Sequence, residues 1–316
     1  MRKKIEMSKT KRFLIESSYD LKWGIRNIVH FPKYIPKILK ILTKEHNSIE
    51  NQKYFLSIVV TIKNESLYVS EWLDYHLMIG VDHFYIYDNG STDNLLEIIE
   101  PYIKEGLVTY TKWEGNNQQL VIYEHALNSY QDDTKWIAIL DADEFLVSIT
   151  EQSIIDFLKS LNSNVAQVIL GWMVFGSSGR LKYEEGLVLD RFRMHAQDTW
   201  IADSKPIIRP DHFLNVPIPH WVDVFGQTVN EKGEKLRRYP QTNTTSALPM
   251  PKSKFRINHY YCKSWEEFES KRNRGFADHD GAERTKNDFL DHDQNAVIDH
   301  SIDAIIQKLK EKRRMK

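Results

Sequence analysis

Three carboxylates follow directly on a short apolar run in the middle of the chain. Residues Trp136–Leu140 are all apolar, and Asp141, Asp143 and Glu144 come immediately after them. An unbroken apolar run of this length predicts a strand that is buried on both faces of a parallel sheet. Burying three carboxylates costs several kcal/mol each unless they are paired or bound to metal. We therefore expect them at the carboxyl end of the strand, where open α/β sheets bind ligands.

The spacing of Asp141 and Asp143 predicts a site for a hard divalent cation. Two residues apart at the end of a strand, both carboxylates can point into one small volume. Oxygen ligands of this kind suit Mg²⁺ or Mn²⁺, which in turn hold phosphate oxygens. The motif alone is equally typical of a solvated acidic loop after an ordinary strand, so both interpretations stay open at this point.

The residues before this motif predict an α/β domain. Strands and helices alternate at short intervals, and the first three predicted strands are Phe55–Ile62, His83–Tyr87 and Leu107–Trp113. Such alternation is typical of a parallel sheet with right-handed crossovers. Glu65 and Asp88 follow the first two strands closely, so they would meet Asp141 and Asp143 on one rim of the sheet. This coincidence favours the cation site over the acidic loop.

The charge distribution divides the chain into three predicted parts. Residues 1–50 form a basic N-terminal appendage, residues 51–280 the α/β domain, and residues 281–316 a helical basic tail. Residues 1–46 carry a net charge of +8 and residues 308–316 one of +5, which leaves −14 on the rest of the chain. Basic ends on an acidic body indicate contact with an anionic surface.

The N-terminal appendage offers a candidate for that contact. The apolar positions and lysines of Pro36–Leu42 predict an amphipathic helix that lies on anionic lipid. The alternatives are a helix packed on the domain and a linker. Nucleic acid is not expected as a partner, because no recognition motif accompanies the basic arm. The single cysteine, Cys262, and the lack of any apolar run approaching ~18 residues predict a cytoplasmic protein, peripheral on the inner face of the cell membrane.

Several motifs resemble those of one enzyme class. They are Val59–Glu65, Asp88–Asp93, Leu140–Phe145, Trp172–Gly179, Asn258–Tyr260, Lys263–Ser264 and Glu267–Phe268. Their order and spacing resemble nucleotide-sugar glycosyltransferases with the GT-A fold, above all bacterial members of families 2 and 92. The resemblance implies a Rossmann-like α/β fold with a mostly parallel sheet, helices on both faces and a loop-rich second half on the acceptor side.

The resemblance also implies roles for individual residues. Glu65 and Asp88 would contact the nucleoside, Asp141 the ribose or the metal, and Asp143 the metal, which would be Mn²⁺ or Mg²⁺. His259 is similar to the histidine that such enzymes supply late in the chain as a further contact to metal or diphosphate. The positive side chains that would bind the nucleotide sugar are Lys63, Lys263, Lys271 and Arg274.

The reaction implied by the resemblance moves a sugar from a nucleotide-sugar donor, favoured as UDP-linked, to a hydroxyl of a cell-envelope or capsular glycan. Family 92 is expected to invert, and an inverting transfer needs a base that takes the proton of the acceptor hydroxyl. The side chains in the region expected to line the acceptor site are Glu185, Asp190, His220 and Asp223. Asp190, between an apolar run and Arg191, is the favoured candidate, although a structural ion pair is the simpler explanation for each of the four.

Two other functions compete with glycosyl transfer. A phosphatase or phosphotransferase of the haloacid-dehalogenase kind also places Asp-x-Asp after a strand, but normally after the first strand and with Thr or Val two residues on. Here three strand–helix units precede the motif, and Phe145 stands two residues after Asp143. The non-catalytic alternative is a membrane-attached sugar-binding protein that has lost turnover, and the intact pair of Asp141 and Asp143 counts against it.

Overall fold

The computed structural model of the chain describes residues 32–43, 52–200, 203–236, 250–272 and 284–315. Within these ranges the strands are β1 (Tyr54–Ile62), β2 (His83–Asp88), β3 (Val108–Lys112), β4 (Thr134–Ile139), β5 (Glu144–Ser148), β6 (Val165–Val174), β7 (Met194–His195), β8 (Ser204–Ile208), β9 (Phe213–Ile218), β10 (Trp221–Val224), β11 (Gln227–Val229), β12 (Phe255–His259) and β13 (Val297–Ile298). The helices are α1 (residues 32–43), α2 (Ser66–Met78), α3 (Leu95–Lys104), α4 (Gln119–Ser129), α5 (Ile154–Ser160), α6 (Val188–Arg191), α7 (Trp265–Arg272), α8 (Lys286–His292) and α9 (Asp303–Arg314).

The central sheet has a parallel half and a mixed half. Its strand order is β3-β2-β1-β4-β8-β6-β12-β5, and β11 pairs with β6. The strands β3, β2, β1 and β4 are parallel neighbours. In the other half, β8 runs antiparallel to both β4 and β6, and β5 runs antiparallel to β12. The predicted α/β architecture, with its sheet of parallel crossovers followed by a less regular second half, is confirmed.

Helices cover both faces of the parallel half, as predicted. In β1, Leu56 and Ile58 belong to the apolar layer that includes Trp72 of α2. Val59, the residue after Ile58, points to the opposite face and packs with Ile122 of α4. This alternation is the two-residue period of a strand buried on both sides, and it explains why the run shows no polar break.

The strand β5 is not predicted by the sequence pattern. It begins at Glu144, which pairs with His259 of β12 in antiparallel register. The side chain of Glu144 is fully buried. The expectation that all three carboxylates of the motif lie in a strand-end loop is therefore wrong for Glu144, because the chain turns straight back into the sheet at this residue.

The two ends of the described chain pack on the domain. Lys37 of α1 donates to the carbonyl of Leu214 at 2.8 Å. At the other end, Ile306 and Leu309 of α9 are buried in the main apolar layer, and Arg313 bonds Asp74 at 2.8 Å. No helix in the described parts of the chain is long and apolar enough to cross a bilayer. The division of the chain at residues 50 and 280 stays a prediction.

Candidate active site

A cavity of about 310 Å³ opens at the carboxyl ends of the parallel strands. Its walls follow the order of the sheet: Asn89 after β2, Lys63 and Glu65 after β1, Asp141–Asp143 after β4, Trp172 of β6, and His259 and Tyr261 at the end of β12. The cavity is also lined by Pro219, His220, Gln119, Lys271 and Arg284. The parallel register places these strand ends at one level, because Ile62 pairs with Asp88 and Val59 with Ile139.

Asp141 is held by a buried lysine on one side of the cavity. Lys205 Nζ lies 2.7 Å from Asp141 Oδ2, and Gln119 Nε2 and Tyr123 Oη donate to Oδ1 at 3.1 and 3.3 Å. Burial would raise the pKa of Asp141, but the Lys205 ammonium outweighs burial and lowers that pKa. Asp141 is therefore an ionised carboxylate whose side chain remains 31% exposed to the cavity.

Lys205 also serves Glu144. Its ammonium lies 3.4 Å from Glu144 Oε2, and the two side chains are 1% and 0% exposed. Burial alone would lower the pKa of Lys205, but Asp141 and Glu144 raise it. Burial raises the pKa of Glu144 well above its usual range. The Lys205 ammonium thus lies between the ionised carboxylate of Asp141, which reaches the cavity, and the fully buried Glu144, for which burial favours the protonated form.

Asp143 faces a second lysine and a histidine. Lys271 Nζ donates to Asp143 Oδ2, and His259 Nε2 lies 3.7 Å from Oδ1. Burial would raise the pKa of Asp143, but Lys271 and then His259 lower it well below its usual range. Burial lowers the pKa of His259, and its Nδ1 is buried without a hydrogen-bond partner in the described residues.

The donor set of this motif is chemically suited to a divalent cation. Two ionised carboxylates and a neutral imidazole are ligands that Mn²⁺ accepts, and Nε2 is the nitrogen of His259 that faces Asp143, at 3.7 Å from its Oδ1. In the structure, however, these side chains do not form a ready-made cation site. Among the described residues no three of the types His, Cys, Asp and Glu are grouped to hold a metal ion. Asp141 Oδ2 and Asp143 Oδ2 bond Lys205 and Lys271 instead.

The structure separates the other predicted nucleotide contacts. Lys63 and Glu65 line the cavity. Asp88 does not, since its carboxylate is buried and accepts from Ser91 N and Tyr110 Oη, both at 2.8 Å. Lys263 is buried with its ammonium 4.3 Å from the centre of the Tyr68 ring. Arg274 lies outside the described residues.

Of the four candidate bases, the structure places His220 at the cavity. The carboxylate of Asp190 pairs with Lys310 of α9 at 2.7 Å, and Asp190 does not line the cavity. Glu185 and Asp223 do not line it either. The structure therefore does not bring Asp190 to the cavity wall, because its carboxylate pairs with the C-terminal helix.

Several residues of the site are missed by reasoning from sequence. Gln119 and Tyr123 are ordinary in type and gave no signal, and Trp172 was noted only as the first residue of the motif Trp172–Gly179. Lys205 did carry one: it stands in the otherwise apolar or small run Ser204–Ile208, where a lone charge that is fully buried needs a partner. Its partner is not deducible from spacing, since Asp141 lies 64 residues earlier in the chain.

The resemblance implies that a nucleoside binds at the ends of β1 and β2, and the bonds of Asp88 lead to a prediction about this binding. Asp88→Ala should weaken binding of UDP and of free uridine by similar factors of about ten, because it frees the turn that follows β2 and carries Asn89. Calorimetry with both ligands measures this. Tyr110→Phe, which removes one of the two bonds, is the matched control and should cost less. If the variant binds UDP more weakly but uridine as tightly as before, Asp88 influences the binding of the diphosphate and not that of the nucleoside.

A cavity at the carboxyl edge of this sheet, with paired carboxylates at its centre and cations around it, is the site expected of a nucleotide-sugar glycosyltransferase. The model of glycosyltransferase family 92 matches residues 59–287, and the chain belongs to that family. The resemblance to family 92 found in the motifs is thereby confirmed, and the haloacid-dehalogenase alternative loses its support.

The relatives are plant proteins of greater length. A family 92 protein of Oryza sativa subsp. japonica is 27% identical over 68% of this chain and 35% of its own length. A galactan beta-1,4-galactosyltransferase of Arabidopsis thaliana is 30% identical over 29% of this chain and 20% of its own length. Among solved structures, Staphylococcus aureus TarS is 18% identical, with a TM-score of 0.34 over 49% of this chain and 47% of that chain, a superposition too partial to bear on function. The chain thus spans well under half of these plant relatives.

Proposed function

We propose that this protein transfers a glycosyl residue from a UDP-sugar to a hydroxyl group of a glycan, with inversion at the anomeric carbon. The observation that supports this most is the cavity itself, which joins residues after β1 and β2 to the Asp141–Asp143 motif and to Trp172 and His220. This one space connects the strand ends expected to bind the nucleotide with the side expected to face the acceptor, and family membership gives the reaction class.

The cations of the cavity suit a diphosphate leaving group. Cleavage of the bond between sugar and diphosphate builds negative charge on the departing oxygen, and fixed positive charges stabilise it. Lys63, Lys271 and Arg284 line the same cavity as Asp143. Lys271 is already in contact with Asp143, so its ammonium is held in place before a donor arrives.

A divalent cation is part of the proposal. Asp141, Asp143 and His259 would hold Mn²⁺ or Mg²⁺, which supplies charge to the departing diphosphate and orients its oxygens. The contact of Lys271 with Asp143 then has a consequence: the ammonium and the cation compete for the same carboxylate oxygen. We accordingly expect the cation to bind better together with UDP than alone, since the diphosphate gives Lys271 another anionic partner.

A donor screen tests the proposal. UDP-, GDP- and CMP-sugars are incubated with the protein, with and without Mn²⁺, and release of the nucleotide is measured. Hydrolysis of a UDP-sugar that requires Mn²⁺ supports the proposed donor and metal, and hydrolysis of another donor class revises the nucleotide. Binding of a sugar nucleotide without any turnover would support the non-catalytic alternative. We expect the acceptor to be a cell-envelope or capsular glycan, made at the inner face of the cell membrane.

We expect the exposed side of helix α1 to bind an anionic membrane. Its half-buried side chains, Lys37 among them, face the domain, whereas Ile35, Leu39 and Leu42 form an outward ridge that is 41%, 55% and 63% exposed. The net charge of +8 on residues 1–46 would attract anionic lipid at about 1 kcal/mol for each basic residue near the surface. The triple change Ile35→Ser, Leu39→Ser and Leu42→Ser should therefore lower binding to phosphatidylglycerol vesicles several-fold.

Vesicle sedimentation at low and high salt measures that binding. Leu181→Ser, at an exposed leucine elsewhere in the described chain, is the matched control and should pellet like the parent protein. Equal pelleting of the triple variant would show that the ridge does not touch lipid. Donor hydrolysis should be the same in all three proteins, because α1 contributes nothing to the described wall of the cavity.

A further inference from the structure

His220 lies in the turn between β9 and β10 and lines the cavity. It stands edge-on to Trp172, with 5.0 Å between the ring centres, and Trp172 in turn packs on His259 at 4.2 Å. In the order of the sheet, this wall on β6 is separated from the nucleoside end at β1 and β2 by the Asp141–Asp143 motif. His220 is therefore on the side where an acceptor would meet the donor sugar.

The hydrogen bond of His220 determines which ring nitrogen can accept a proton. Nδ1 lies 3.0 Å from the backbone carbonyl of Ser204. A carbonyl oxygen only accepts, so Nδ1 carries the hydrogen and Nε2 of the neutral ring keeps a free lone pair. Burial, aided by the nearby Lys205 ammonium, lowers the pKa of His220 to about 3, which keeps the ring neutral.

We propose that Nε2 of His220 is the base that takes the proton of the acceptor hydroxyl. This inference rests on the glycosyl transfer proposed above and names the residue that performs its proton transfer. The other acids at the centre of the cavity are engaged, because Asp141 is bonded to Lys205 and Asp143 to Lys271. Asp190, the candidate favoured by sequence, is paired with Lys310 away from the cavity.

The proposed transfer is a single displacement at the anomeric carbon. A lone pair of the acceptor oxygen forms the new bond to the anomeric carbon, while the bond from that carbon to the diphosphate oxygen breaks and its electrons leave with the nucleoside diphosphate. The hydroxyl proton passes to Nε2 of His220. The hydroxyl becomes strongly acidic as its oxygen forms the new bond, so a weakly basic imidazole suffices.

A neighbouring carboxylate is placed to stabilise the imidazolium that results. Asp203 Oδ2 lies 3.9 Å from His220 Nε2, which is too long for a hydrogen bond but close enough for attraction between opposite charges. Lys205 opposes this effect in the free protein, and the negative diphosphate of a bound donor would offset Lys205. The ring is thus better able to accept a proton when the donor is present than when the cavity is empty.

Two substitutions of His220 distinguish a catalytic base from a histidine that has only a structural role. In His220→Asn the side-chain amide can still donate to the Ser204 carbonyl but no nitrogen replaces Nε2, whereas His220→Ala loses both functions. Hydrolysis of UDP-galactose, UDP-glucose and UDP-N-acetylglucosamine is measured with Mn²⁺, with water as the acceptor, and UDP affinity is measured by calorimetry. We expect kcat to fall about 10²- to 10⁴-fold in both variants, with unchanged affinity for UDP.

His195→Asn is the matched control, since His195 Nδ1 also bonds a backbone carbonyl, that of Ala196, and does not line the cavity. Its kcat should stay near that of the parent protein. A normal rate in His220→Asn combined with a low rate in His220→Ala would show that the bond to Ser204 matters and that Nε2 is not the base. Normal rates in both variants would also overturn the inference. If the parent protein hydrolyses none of the donors, the proposed function falls, and the base assignment falls with it.

Discussion

Asp143→Asn is expected to lower the Mn²⁺-dependent affinity for UDP by at least about 10²-fold and to abolish donor hydrolysis. Changing a residue that only supports a metal ligand already lowers metal affinity or activity by about 10–100-fold, and Asp143 is proposed as a ligand itself. The fold should survive, since the side chain lies at the cavity and outside the apolar layers. Calorimetry of UDP with Mn²⁺ and with EDTA measures the effect.

Asp143 also contacts Lys271, so a second variant is needed to distinguish the loss of a metal ligand from the loss of an ion pair. Lys271→Gln removes the ammonium and leaves the carboxylate in place. If Asp143 is a cation ligand, this second variant should bind Mn²⁺ alone more tightly than the parent protein, because the competing ammonium is gone. If Asp143 serves only as the counter-ion of Lys271, the two variants should lose UDP affinity alike and Mn²⁺ should make no difference to either.

The strands of the parallel half were predictable because their signal is local. An apolar run such as Trp136–Leu140 is typical of a strand buried on both faces, and the polar residue that ends it marks the edge of the sheet. The carboxylates of Asp141 and Asp143 follow from the same pattern. The position of the candidate site at that edge was thus available from residues close together in the chain.

The partners of those carboxylates were not predictable, because they are distant in the chain. Lys205 lies 64 residues from Asp141, and Lys271 lies 128 residues from Asp143. The spacing between two residues in different elements says nothing about whether the elements meet. Asp190 illustrates the same limit, since its pairing with Lys310 depends on how α9 packs on the domain.

The strand β5 was missed for a different physical reason. The pattern of three acids in four positions is typical of a loop, and Glu144 gave no sign that it belongs to a strand. Its side chain lies 3.4 Å from the ammonium of Lys205, on a strand that runs antiparallel between β4 and β6, and this contact offsets part of the cost of burial. A local rule fails here because a long-range ion pair outweighs it.

Lys205→Met is accordingly expected to reduce the free energy of unfolding by about 3–5 kcal/mol, the usual cost of removing one partner from a buried ion pair. The loss leaves the fully buried Glu144 and the partly exposed Asp141 without their shared cation. It should also reduce donor hydrolysis strongly, because Asp141 would lose the bond that holds its carboxylate at the cavity. Urea unfolding and the hydrolysis assay measure the two effects separately.

Two further variants distinguish the charge of Lys205 from its shape. Adding Glu144→Gln to Lys205→Met removes a buried carboxyl group that must take up a proton to stay buried, so the double variant should regain part of the lost stability. It should not regain donor hydrolysis, since Asp141 still lacks its partner. Lys205→Arg keeps the charge in a larger group and should lie between the parent protein and Lys205→Met in both measurements. Unchanged unfolding and unchanged hydrolysis in Lys205→Met would show that the ammonium at 2.7 Å from Asp141 holds neither the fold nor the site together.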